Sequence, residues 1–142
     1  MPAKQIGDIF KELYATRKPN EKIRILREND SKILRELLRL NFDELAEFDL
    51  PEGDPPFKKS TEPEGMSFTT LSMEWKRLPK FMKGNSTNLA PMKKEMLFVS
   101  LLESLDPVEA NLLCEVKDKR LRGITLRQTL KAFPDFVYRV KK

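Results

Sequence analysis

Wherever apolar residues are dense in this chain they recur at intervals of three and four, and nowhere in the two-residue alternation of a half-buried strand. That pattern restricts the fold to packed helices. Ile6, Ile9, Phe10 and Leu13 mark a first amphipathic helix within residues 4–14. After the break at Arg17, Lys18, Pro19 and Asn20, with Asn20 as its expected cap, Ile23 and Leu26 mark a second. Asp30 or Ser31 caps a third, whose stripe is Ile33, Leu34, Leu37, Leu38 and Leu40, with Arg35 and Arg39 on its outer face. Residues 67–82 predict a fourth, with Leu71, Trp75 and Leu78 inward and Pro79 kinking or ending it. Pro91 opens the most hydrophobic segment, expected to be a central core helix in which Met92 and Met96 fill gaps. Asp106 and Pro107 start a sixth helix, and Thr125 a seventh that Pro134 stops. The expectation is an all-α domain of six to eight helices, with residues 1–142 forming one unit.

One stretch has no period. Residues 47–66, EFDLPEGDPPFKKSTEPEGM, read as an extended loop of Pro, Gly and acids. A loop longer than about 15 residues in a small domain is either functional or disordered. Leu50, Pro56 and Phe57 are its candidate anchors to the core; flanked by Glu52 and Asp54, they also suit docking on a basic partner surface. Asp49, Glu52 and Asp54 lack the spacing and terminal Glu of a calcium loop, so no metal is expected.

The chain is basic overall, at +5, but its charges are blocked out along the sequence. Residues 115–142 hold nine Lys or Arg against three acids, whereas residues 41–65 hold two against eight. Such a chain presents a basic face to a polyanion while its acidic segment points elsewhere. Histidine is absent and Cys114 is the one cysteine, which excludes an internal disulfide, an imidazole base and a Cys–His pair. With no paired carboxylates in a recognisable frame and no Gly-rich phosphate loop, the expectation is a non-enzymatic protein with no cofactor, no metal and no small-molecule substrate. No run of about 20 apolar residues and no signal peptide is evident, so a cytoplasmic location off the membrane is expected.

The strongest local signal lies in KDKRLRGITLRQTLKAFP, residues 117–134. A basic turn closes on Gly123, and Thr125 with Gln128 three residues later has the form of a capping box. A helix start among cations favours an anion. The candidate phosphate ligands are Lys119, Arg120, Arg122, Gly123, Thr125, Arg127 and Lys131, with Lys76, Arg77 and Lys83 as helpers; residues 139–142 form a basic tail.

From Leu112 to Phe136 the chain resembles the last part of the N-terminal helical DNA-binding domain of ATP-dependent DNA ligases, most closely those of T-even-type phages. The residues that carry it are Arg120, Arg122, Gly123, Thr125, Phe133 and Pro134. The opening residues 9–43 and the segment MSFTTLSMEWKRL are similar in order to the corresponding helices, and the LPEGDPPF loop resembles that of a short cyanobacterial myophage family. The ligase K-x-D-G motif is missing, and there is no room for the adenylation and OB domains. The resemblance therefore implies a stand-alone relative of the DNA-gripping part, binding duplex DNA through its backbone without reading sequence, in host cytoplasm if the protein is of phage origin. The alternative is a protein-interaction module that docks through its acidic loop on a replication, transcription or host factor.

Overall fold

The computed structural model describes residues 4–57, 69–84 and 89–141. Among them seven α-helices make the expected all-α fold: α1 (Ile6–Tyr14), α2 (Pro19–Glu28), α3 (Lys32–Phe42), α4 (Leu71–Glu74), α5 (Pro91–Ser104), α6 (Pro107–Lys117) and α7 (Leu126–Ala132). The β pairing of the described residues is a single antiparallel bridge between Phe48 and Met82. No helix among them is long and apolar enough to cross a membrane. Positions 58–66 of the loop, 67 and 68 of the expected fourth helix, and Lys142 of the tail lie outside the described residues.

Short-range chemistry sets most helix starts. Ser31 accepts from the Leu34 N–H at 3.1 Å, Thr70 from Met73 at 3.2 Å and Asp106 from Val108 at 3.2 Å, each satisfying a first-turn donor that the helix leaves open. Helix α2 departs from expectation: Pro19, not Asn20, decides its start, with Lys18 at the cap position and the proline ring, already at a helical φ, in the first turn. The fourth helix is also shorter than expected. One α-turn, Leu71–Glu74, gives way to a 3-10 segment, Trp75–Phe81, that accommodates Pro79. At three residues per turn Leu78 and Phe81 fall on the same side, and both are buried.

The stripe of α1 is buried as read, and Leu34, Leu37, Leu38 and Leu40 of α3 meet it in one core with Leu112, Leu113 and Val116 of α6. Phe98 stands edge-on to Phe81 and Phe48, at 5.3 and 6.5 Å between ring centres. Helix α5 is not the central helix. Its buried face is Lys94, Phe98, Leu101 and Leu102, whereas Met92 and Met96 are 73% and 62% exposed. Because α5 is apolar on several sides, hydrophobicity alone does not identify the face; the one that packs carries Phe98, Leu101 and Leu102, with Lys94 turned to Asp49 at 2.8 Å.

Candidate functional site

The turn after α6 faces largely inward. Lys117 is buried, and its ammonium donates to the Pro51 carbonyl and to Asp118, both at 2.7 Å. The second Asp118 oxygen accepts from the Gly53 N–H and from Arg120, both at 3.0 Å. Burial pushes the Asp118 carboxyl up, but these donors outweigh it and hold its pKa below the ordinary value. Besides the expected anchors, the loop is thus pinned through polar contacts at residues 51–53, and Lys94 pins it again at Asp49.

Lys119 corrects the phosphate expectation most directly. Its backbone is left-handed, with φ at 58°, and its ammonium reaches back to the carbonyls of Leu40 and Asp43, each at 2.8 Å, and of Ala46. It closes the C-terminal end of α3 and has no donor left for a phosphate. Burial lowers its pKa, against the attraction of Asp43 and Glu47.

Arg120 and Arg122 are exposed, yet each is paired. Arg120 meets Asp118 at 3.0 Å, and Arg122 meets Glu115 at 3.0 Å with its guanidinium 5.7 Å from the Tyr14 ring centre. Gly123 has φ at 90° and lies so close to Tyr14 that a Cβ would fall 2.7 Å from the ring; its carbonyl accepts from Lys22 at 2.7 Å. Thr125 and Gln128 form the expected capping box, both bonds at 3.1 Å, so the Thr125 hydroxyl already holds a helix donor.

Arg127 and Lys131 are exposed on α7 and have no ion-pair partner among the described residues. Two cations that sequence reasoning passed over stand with them. Helices α2 and α7 lie side by side in the same sense: Lys22 donates to Gly123 ahead of α7, and Arg27 donates to the Lys131 and Ala132 carbonyls at its end, at 2.7 and 3.4 Å. These bonds go to neutral carbonyls, and neither cation has an ion-pair partner among the described residues. The neighbouring Arg24, by contrast, is held between Glu21 and Glu28, both at 2.8 Å.

Lys76 and Arg77 do not join that face. Lys76 lines a shallow cavity with Arg39, Lys83 and Arg139 beside half-buried Trp75, while Arg77 pairs with Glu74 at 3.1 Å and Lys83 with Glu47 at 3.4 Å. In the tail, Arg139 is drawn to buried Asp43 at 2.9 Å and Lys141 to Glu47 at 2.8 Å. Cys114 is buried, which pushes its thiol up to about 12.

On another side, Leu50, Glu52, Asp54 and Pro56 form one wall of a groove of about 420 Å³, and α5 forms the other with Met92, Glu95, Met96 and Val99. Phe57 is half-buried against the core and serves as the loop's anchor. Residues 9–123, more than half of the chain, match a family model described as "Family of unknown function (DUF6433)". The chain belongs to the DUF6433 family. The DUF6433 match takes in the groove and the 117–123 turn and ends before α7. No curated protein matches the chain.

Proposed function

We propose that the chain binds the phosphate backbone of duplex DNA, without sequence preference, through the face that α2 and α7 form. The observation that carries this reading is the set of uncompensated cations on two adjacent helices: Lys22 and Arg27, bonded only to carbonyls, and Arg127 and Lys131 on α7. Cations held in place by neutral groups keep their full charge and lose less side-chain freedom when a phosphate arrives. The resemblance of residues 112–136 to the DNA-gripping domain of ATP-dependent ligases supports the same reading and suggests a phage protein of DNA metabolism. The interface moves away from Lys119, Arg120 and Arg122, whose charges are already engaged.

The test is binding of a labelled random-sequence duplex by fluorescence anisotropy across a salt series. Log K is expected to fall by about 0.9 per phosphate contact for each tenfold rise in salt. Arg127→Glu with Lys131→Glu is expected to weaken binding by about tenfold or more and to flatten the slope, while Arg120→Gln with Arg122→Gln has little effect. No binding by the wild type, or equal loss in both double variants, would overturn the assignment.

A further inference from the structure

We infer that the groove between the acidic loop and α5 is a docking site for a segment of another protein that presents large apolar side chains flanked by Lys or Arg. Met92 and Met96 stand one turn apart on α5, 73% and 62% exposed, facing Leu50 and Pro56 across the groove. A core helix has no use for two methionines in water, but unbranched thioethers adapt to an incoming apolar side chain at little cost in shape. The opposite wall is held in advance by Lys117 on the Pro51 carbonyl, Asp118 on the Gly53 N–H and Lys94 on Asp49, so little loop ordering remains to oppose binding.

Charge selects the occupant. Glu52, Asp54 and Glu95 line the groove, and none of them has an ion-pair partner among the described residues. Among the described lining residues the cation is Lys117, and it is matched by Asp118. The groove is therefore apolar at its base and negative at its rim, which repels DNA and acidic segments and attracts a basic amphipathic one.

The probe is a fluorescein-labelled helical peptide of leucine and lysine, compared with the same peptide carrying glutamate for lysine. The lysine peptide is expected to bind and the glutamate peptide not. Met92→Ser with Met96→Ser is expected to weaken binding at least about tenfold at unchanged unfolding midpoint, because both side chains are exposed. Glu52→Gln with Asp54→Gln is expected to weaken it several-fold at low salt and less at high salt. Undiminished binding by the methionine variant would overturn the inference by placing the peptide elsewhere. So would equal binding of both peptides. Binding of a small uncharged apolar dye in the groove with neither peptide competing would make it a small-molecule pocket. Concentration-dependent dimerisation abolished by Met96→Glu would make the occupant a second copy of the chain.

Discussion

The Glu109 carboxylate accepts the N–H of Gly7 at 3.1 Å across 102 residues of sequence, and its other oxygen accepts the N–H of Leu71 at 2.8 Å. One buried side chain on α6 thereby caps the first turns of both α1 and α4. Gly7 makes room for it, since a Cβ there would sit 3.0 Å from the Glu109 Cγ.

Glu109→Ala leaves two buried N–H groups without acceptors, at about 1–3 kcal/mol each. Urea unfolding is expected to show a loss of about 2–4 kcal/mol with little change in m-value. Burial raises the Glu109 pKa above the ordinary value, against the two N–H donors. The unfolded chain then ionises first, so this group's contribution declines as pH rises from about 4 through its native pKa. That decline is expected to vanish in Glu109→Gln, and a Gln variant with the wild-type pH profile would refute the assignment.

Asp118 has the opposite sign. Its native pKa lies below the ordinary value, so its stabilisation is present above about pH 4 and is lost as pH falls through the native pKa. Asp118→Asn removes that acid-side dependence and leaves buried Lys117 without its carboxylate, at a cost of about 3 kcal/mol or more. Thermal unfolding from pH 2 to 7, with the variant beside the wild type, measures both effects.

Lys119→Met separates a structural cation from a DNA-binding one. The Leu40, Asp43 and Ala46 carbonyls lose their shared donor, and stability is expected to fall by about 2 kcal/mol or more. Hydrogen exchange at residues 43–46 is expected to accelerate. If the proposed α2–α7 interface is right, duplex binding by the folded fraction is expected to stay unchanged; a selective loss of DNA affinity at full stability would make Lys119 part of that proposed interface.

Gly123→Ala combines a left-handed φ with a contact to Tyr14 that no Cβ can make. A loss of about 2 kcal/mol or more is expected. In a Tyr14→Ala background the same change retains only the backbone part, about 1 kcal/mol, and a double-mutant cycle reads the difference.

The features legible in the sequence are those set by neighbours along the chain. The α1 and α3 stripes, the Ser31 and Asp106 caps and the Thr125–Gln128 box depend on residues within one or two turns, and each stands where its spacing placed it. The inward turns of Lys94, Lys117 and Lys119 depend on Asp49, the Pro51 carbonyl and the end of α3, which no local pattern encodes. The same holds for Glu109, which reads locally as an ordinary first-turn acid. A lysine run suggests an outward basic patch because lysines are seldom buried, and here two of the four cations of the turn are turned inward. The exposed methionines were hidden by the opposite ambiguity, an α5 sequence apolar on more than one side.

Gly7 with Glu109, Lys22 with Gly123, Arg27 with Ala132, Arg35 with Asp135 and Asp43 with Arg139 all join the first third of the chain to the last. During synthesis, helices α1 to α3 leave the ribosome with none of these partners yet made. Native closure waits for residues 109–139 to emerge, so the leucine-rich α3 cannot complete its packing against α6 before that segment is made.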